Sequence, residues 1–82
     1  MSKIFVEKME HVPGIYILFN LESKKTYIGK ATRLKERALR HVTHLYSNSH
    51  NNKNLQFEFT HENYTYYLGI LCELKNLERL VY

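Results

Sequence analysis

Two short runs of alternating side chains, joined by a polar turn, constrain the fold of this chain more than any other feature. Residues 12–20 are rich in isoleucine, leucine and aromatic side chains, and Pro13 stands near their start, where a strand tolerates a missing N–H. Residues 21–25 are polar, with Asn20 and Ser23 as turn formers, and residues 26–29 form the return run. The sequence therefore predicts a β-hairpin with strands at 12–20 and 26–29.

Each strand of the predicted hairpin carries a tyrosine close to a glycine. Alternation places Gly14 and Tyr16 on one face of the first strand, and Tyr27 and Gly29 on one face of the second. Side chains on the same face of paired strands lie close enough to act together. Taken singly, each tyrosine is also explained by cross-strand aromatic packing, and hairpin geometry alone could require the glycines.

After the hairpin the period changes to that of a helix. Thr32 is the predicted N-cap of a helix that runs to about Tyr46. Its apolar stripe consists of Leu34, Ala38, His41 or Val42, and Leu45. A second, cationic stripe lies beside it, formed by Arg33, Arg37, Arg40 and His44. We expect the first stripe to be buried and the second to face solvent or a polyanion.

The remainder of the chain predicts a loop, a short helix, a third strand and the start of a last helix. The polar loop spans residues 47–54, the short helix 53–59, and the largely buried strand 64–74, which contains Cys72 as a small buried hydrophobe. From residue 75 the apolar spacing is helical and is still running at Tyr82, so this helix looks truncated. The predicted fold is a single α/β domain, residues 1–82, in the order β-β-α-α-β-α: a small three-stranded antiparallel sheet flanked by helices.

Charge and composition narrow the class of protein. The 82 residues carry a formal net charge of +4, and hydrophobic residues make up 44%, which is too many for a disordered chain. The basic residues concentrate between 24 and 40, which permits nucleic-acid binding. No apolar run approaches the roughly 20 residues of a membrane helix. A single cysteine allows no disulfide within the chain, which favours a reducing, cytoplasmic setting.

A larger pattern is formed by Gly14-Ile15-Tyr16, Tyr27-Ile28-Gly29 and Arg37, which lies eight residues after Gly29. This pattern, with ten residues between the triplets, resembles the GIY-YIG nuclease family. Lys30-Ala31 after the second triplet is similar to the bacterial excinuclease C proteins. The later residues Arg40, His41, Leu45, His50, Asn52, Leu55 and Gln56 are closer in spacing to the phage intron-homing endonucleases of the same family.

The resemblance implies roles for individual residues in cleaving a phosphodiester. Tyr16 and Tyr27 would orient or deprotonate the attacking water, Arg37 would stabilise the scissile phosphate, and His41 is a further catalytic candidate. A phenol has a reference pKa of about 10, so a basic tyrosine needs a nearby cation or metal. Lys30 and Arg37 are the expected cations. Gly29, lacking a Cβ, would let a phosphate approach the backbone.

The resemblance also implies a cofactor, one Mg²⁺ or Mn²⁺ ion held by a glutamate on a helix after the third strand. Glu73 and Glu78 are the late carboxylates of this sequence, and both come early for that position. We therefore expect the metal-binding glutamate beyond Tyr82 and leave the metal ligands unassigned. His44, His50 and His61 show no zinc-site spacing with Cys72 and are expected at the surface.

The predicted function is a metal-dependent DNA endonuclease module, with DNA and an additional DNA-binding domain or partner protein as its partners, and no membrane. Arg33, Arg40 and His44 would track the DNA backbone, or would form only a solvated face. Arg37 could likewise be a solvated helix charge, and His41 a satisfied core histidine. Two alternatives remain at the level of function: a catalytically incomplete DNA-binding module that retains the hairpin, and a small interaction domain. Repair, a mobile element, restriction and phage recombination are all compatible biological roles.

Overall fold

The computed structural model describes residues 2–74 of the chain. Its helices and strands, in chain order, are β1 (Lys3–Val6), β2 (Gly14–Asn20), β3 (Thr26–Ala31), α1 (Leu34–Tyr46), α2 (Lys53–His61) and β4 (Thr65–Glu73). The strands form one four-stranded sheet in the order β1-β4-β2-β3. The helix predicted from residue 75 lies outside the described residues.

The predicted hairpin is confirmed. Strands β2 and β3 pair antiparallel, with Tyr16 opposite Gly29 and Leu18 opposite Tyr27. Strand β4 pairs antiparallel with the other edge of β2, as expected for the third strand. β3 extends two residues past its predicted end, to Ala31, so that Lys30 lies on the strand and not after it.

The prediction of a three-stranded antiparallel sheet is wrong, because the sheet has a fourth strand and is mixed. β1 pairs with the outer edge of β4 in parallel register, Lys3 opposite Thr65. Only Ile4 of this short edge strand packs against the core. A four-residue run with one inward side chain has too little alternation to predict a strand. The carboxylate of Glu7, just after β1, secures the pairing by accepting hydrogen bonds from the Ile70 N–H and the Tyr67 hydroxyl.

The start of α1 also differs from the prediction. Its N-cap is Arg33, whose side chain makes no capping bond, so the assignment of Thr32 is wrong. Backbone carbonyls from the segment before β2 replace a side-chain cap: the Leu34 N–H donates to Val12 O and the Lys35 N–H to Glu10 O. Because these partners are distant in sequence, local capping rules could not identify this helix start.

Both helices cover the face of the sheet that carries Tyr16. The core lies between the helices and the sheet. It is formed by fully buried side chains: Leu18, Leu34, Leu45, Leu55, Phe59, Tyr66 and Leu68. The opposite face presents exposed apolar side chains such as Phe5. Cys72 is exposed and not buried as predicted, because a bulge in the pairing of β4 with β2 interrupts the alternation just before it. Neither helix of the described part is long and apolar enough to cross a bilayer.

Candidate active site

An open pocket of about 440 Å³ lies where the helix-covered face of the hairpin meets α1 and the loop before α2. Four segments supply its polar lining: β2 and β3 one tyrosine each, α1 two arginines and two histidines, and the loop before α2 a histidine and two asparagines. These polar residues are Tyr16, Tyr27, Arg37, Arg40, His41, His44, His50, Asn51 and Asn52.

A chain of hydrogen bonds runs from Tyr16 through two histidines to the backbone. The hydroxyl oxygen of Tyr16 and Nε2 of His41 are 2.7 Å apart. His41 Nδ1 and His50 Nε2 are 2.8 Å apart. At the far end, the Asn52 N–H donates to His50 Nδ1 at 3.0 Å. The chain joins β2, α1 and the loop, and so fixes the position of the Tyr16 hydroxyl.

The backbone end of this chain determines where the protons lie. Because His50 Nδ1 accepts from the Asn52 N–H, the proton of a neutral His50 must be on Nε2. That proton is donated to His41 Nδ1, which leaves the proton of His41 on its own Nε2. His41 therefore donates to the oxygen of Tyr16. The hydroxyl proton of Tyr16 remains free to be donated to a group in the pocket.

The electrostatic surroundings keep both histidines neutral. Burial is the largest cause that lowers the pKa of His41, to about 4, and the electrostatic interactions with His50, Arg37 and His44 act in the same direction. Burial and His44 lower the pKa of His50 as well. His50 is 7% exposed, so its predicted surface location is wrong. The spacing that resembles the homing endonucleases includes His50, and this resemblance could have indicated that His50 belongs to the site.

Gly29 accommodates the ring of Tyr16. A Cβ atom at position 29 would overlap the hydroxyl oxygen and the ring of Tyr16. The predicted reason for this glycine, room for a phosphate at the backbone, is therefore not what the structure shows. The space beside Gly29 already holds the phenol that the motif places on the paired strand.

Tyr27 has a different partner from the one expected. Its hydroxyl lies 3.4 Å from Oε1 of Glu58, on α2. Burial and the charge of Glu58 raise the pKa of Tyr27, with Lys25 acting weakly in the opposite sense. Tyr27 is thus held as a neutral phenol. Glu58 lies 31 residues away in the chain, and no motif in the sequence indicated the contact.

The cations divide into three groups by location. Arg37 lines the pocket, and within residues 2–74 no carboxylate forms an ion pair with it. Arg33 and Arg40 both pair with Glu36, at 3.0 and 4.0 Å. Lys30 pairs with Ile15 in the sheet register, which places its exposed side chain on the opposite face from Tyr16. The structure does not bring Lys30 to the pocket.

The structure therefore assembles most of the predicted site in one place. Tyr16, Tyr27, Arg37 and His41 share the pocket, with Arg40 and His44 at its wall. Arg33 lines a smaller neighbouring cavity of about 190 Å³, which also contacts Arg37 and Arg40. The four motif residues Gly14, Ile15, Ile28 and Gly29 lie on the hairpin strands. The catalytic roles of these residues stay predictions.

The described part of the chain does not form a metal site by itself. No aspartate or glutamate of residues 2–74 lines the pocket, and no group of three or more metal-ligating side chains occurs there. Mg²⁺ in proteins is usually bound through one or two carboxylates, and the described lining supplies none. Glu78 and the expected glutamate beyond Tyr82 lie outside the described residues.

Comparison with known proteins agrees with the geometry. The family model of the GIY-YIG catalytic domain matches residues 12–79. The curated UvrABC system protein C of Aliivibrio fischeri is 44% identical over 36 residues, and that of Aliivibrio salmonicida is equally similar. Each alignment covers 44% of this chain and 6% of the relative, so the chain spans only a small fraction of those proteins. No solved structure matches.

Proposed function

Because this chain belongs to the GIY-YIG family, we propose that it is a metal-dependent DNA endonuclease module that hydrolyses a phosphodiester bond. One observation carries the proposal. The two motif tyrosines, a neutral His41 and the guanidinium of Arg37, which forms no ion pair within residues 2–74, line a common open pocket, although they come from three different elements.

Each group has a role that its surroundings support. Arg37 binds the oxygens of the scissile phosphate, since a guanidinium can grip them in bidentate fashion. Tyr16 donates its free hydroxyl proton to a phosphate oxygen, because His41 already supplies the hydrogen bond that its oxygen accepts. Tyr27 accepts a hydrogen bond from the attacking water, because its own proton is directed to Glu58.

The metal belongs to the proposal on the strength of the family resemblance. One Mg²⁺ or Mn²⁺ ion would stabilise the charge that develops on the phosphate. Its carboxylate ligand would come from outside residues 2–74. The lack of a carboxylate in the described lining supports the second candidate, a DNA-binding module without catalysis.

DNA is the proposed substrate, and the cationic side of α1 is its proposed contact surface. Arg33, Arg40 and His44 continue the positive surface from Arg37 along the helix. The chain covers 6% of its curated relatives, and a nuclease module of this size would obtain target specificity from a further DNA-binding domain or partner. The free thiol of Cys72 is compatible with a cytoplasmic location.

Nicking of a supercoiled plasmid with Mg²⁺ or Mn²⁺ tests the proposed function. We expect nicking by the wild type that stops when EDTA is added, and a loss of about 100-fold or more in Arg37→Ala, the size typical for removing a group that stabilises transition-state charge. Lys35→Ala is the matched control, since it removes the same charge from an exposed position of α1 outside the pocket. Tyr27→Phe should also lose activity.

The outcomes separate the candidate functions. Nicking that survives both Arg37→Ala and Tyr27→Phe would contradict the assigned site. Salt-sensitive DNA binding without nicking would support the DNA-binding module. No DNA binding even at low salt would exclude both.

A further inference from the structure

Glu58 is a partly buried carboxylate that contacts Tyr27 of the pocket, and the motif does not include it. Its side chain is 16% exposed and lies between α2 and the sheet. Oε1 is close to two phenols, 3.4 Å from the Tyr27 hydroxyl and 3.5 Å from the Tyr66 hydroxyl, while Oε2 is paired with Lys25. Tyr27 thus lines the pocket, and its hydroxyl also contacts a carboxylate.

We propose that Glu58 is a positioning residue that acts through Tyr27, orienting its hydroxyl and receiving its proton when the water attacks. This inference rests on the proposed function and names a residue that completes the proposed site. Glu58 touches neither the phosphate nor the water. Its effect on the reaction passes through the Tyr27 oxygen alone.

The direction of the Tyr27 hydrogen bond follows from the chemistry of the pair. An ionised carboxylate can only accept, so the Tyr27 O–H must be the donor. The lone pairs of the phenol oxygen then remain available to the pocket. Tyr27 can accept a proton from water while still neutral, which removes the need for a phenolate that its environment disfavours.

The proton transfer balances without a further reactant. As the water oxygen bonds to phosphorus, one water O–H bond breaks and that proton joins the Tyr27 oxygen. The original Tyr27 O–H bond breaks in the same step, and its proton joins Oε1 of Glu58. The bond from phosphorus to the leaving oxygen then breaks, and that oxygen takes a proton from solvent. Tyr27 is regenerated, and Glu58 then releases its proton to solvent.

The length of the Tyr27 contact fits this role. At 3.4 Å it is longer than a well-formed O–H···O bond, which measures about 2.5–3.0 Å. Catalytic hydrogen bonds are often loose before substrate binds and shorten in the complex. Lys25 holds the carboxylate from its other oxygen, and Glu58 in turn raises the pKa of Lys25 through their hydrogen bond. The ammonium keeps Oε1 pointed toward the tyrosines.

Glu58→Gln is the direct test, because glutamine keeps the shape and an accepting oxygen but cannot take the proton. We expect its nicking rate to fall about 100-fold, within the range for lost proton-transfer catalysis. Glu62→Gln is the matched control, with the same change of charge on an exposed side chain immediately after the same helix. A rate equal to that of Glu62→Gln would overturn the proposal.

Two further measurements distinguish this role from a structural one. In a Tyr27→Phe background, Glu58→Gln should cause no additional loss, because the partner through which it acts is gone. The nicking rate of Glu58→Gln should also rise tenfold per pH unit above neutrality, since Tyr27 must now ionise first, whereas the wild type should not show this rise. Losses that multiply in the double variant, or identical pH profiles, would refute the inference.

A readout independent of activity keeps this inference separate from the proposed function. In protein labelled with ¹³C at tyrosine Cζ, the Tyr27 signal should titrate at lower pH in Glu58→Gln than in the wild type, because the carboxylate that raises the Tyr27 pKa is lost. An unchanged Tyr27 titration would overturn the contact itself, whether or not the wild type cleaves DNA. If Glu58→Gln shifts the Tyr27 titration but the wild type does not nick DNA, the proposed function and the proton-transfer role are both contradicted. Only the hydrogen bond between Tyr27 and Glu58 would then be supported.

Discussion

The side chain of Tyr16 fills the space above Gly29, which lies opposite it on the paired strand. The phenol of Tyr16 lies where a side chain at position 29 would begin, and its hydroxyl is held there by His41. The second glycine of the motif is therefore explained by the tyrosine of the first triplet. This single contact links the two halves of the motif physically.

Gly29→Ala should displace the Tyr16 ring and break its hydrogen bond to His41. We expect a loss of stability of about 1–3 kcal/mol, the usual cost of inserting a methyl group into a packed site, and a large loss of nicking. Urea unfolding and the plasmid assay measure the two effects. Gly69→Ala is the matched control, since its Cβ would overlap the ring of Tyr67, outside the pocket. Equal activity losses in the two variants would contradict this account.

The sequence predicted most of the pocket residues but not how they are connected. Tyr16, Tyr27, Arg37 and His41 could be identified because they match the family motif, and strand alternation and helical spacing, which are local signals, indicated which faces they share. Glu58 could not, since its contact with Tyr27 depends on how α2 packs against the sheet. The location of Lys30 was not predicted either. Because β3 continues to Ala31, Lys30 lies within the strand and its side chain is on the face opposite Tyr16.

At the scale of elements, the arginines along α1 differ in whether they form ion pairs. Arg37 has no ion-pair partner within residues 2–74, whereas Arg33 and Arg40 share the carboxylate of Glu36. These ion pairs are exposed and hence weak, and DNA phosphates would compete with them. Glu36 is expected to weaken DNA binding by holding the two arginines.

Glu36→Gln should therefore strengthen DNA binding and make it more dependent on salt. If both arginines gain a phosphate contact, the slope of log K against log [salt] becomes steeper by about 1–2. Fluorescence anisotropy with a labelled duplex between low and moderate KCl measures this slope. Glu10→Gln makes the same change in net charge at an exposed residue before β2. The same slope in both variants would show that Glu36 does not restrain the arginines.

The elements that were predicted correctly are those whose signals are local. The hairpin, the end of α1 at Tyr46, and the start of α2 at Lys53 follow from alternation, spacing and the Asn52 cap, whose side chain accepts from the Leu55 N–H. β1 was not predicted, and the N-cap of α1 was predicted one residue too early. The pairing of β1 and the cap of α1 both depend on backbone partners that are distant in the sequence.

At the scale of the whole molecule, the neutral histidines make stability depend on pH. The pKa of His41 is about 4 in the folded protein against 6.5 for an ordinary histidine, so the unfolded chain binds a proton first as the pH falls. Stability from this group is fully present above about pH 6.5 and is lost between pH 6.5 and 4. His50, whose pKa is also lowered, acts in the same direction.

His41→Gln should remove much of this pH dependence while retaining an N–H that can donate to Tyr16. Urea unfolding at pH 7 and pH 4.5 should show a decrease in the free energy of unfolding for the wild type, of about 1–2 kcal/mol from His41, because solvent reduces the effect for a ring that is only partly buried. The decrease should be smaller in His41→Gln. His11→Gln, at an exposed position, serves as control. A wild type equally stable at both pH values would contradict the neutral pair of histidines.

The parallel pairing of β1 with β4 imposes an order of events during synthesis. β1 leaves the ribosome first, yet its partner begins at Thr65, 62 residues after Lys3. At the usual pace of translation, β1 waits on the order of 3–12 s for that partner. The hairpin and α1 emerge in the meantime and can associate without it. β1 is therefore the first strand of the sheet to be synthesised and the last to be paired. A nascent chain that pauses before residue 65 carries β1 without its partner strand.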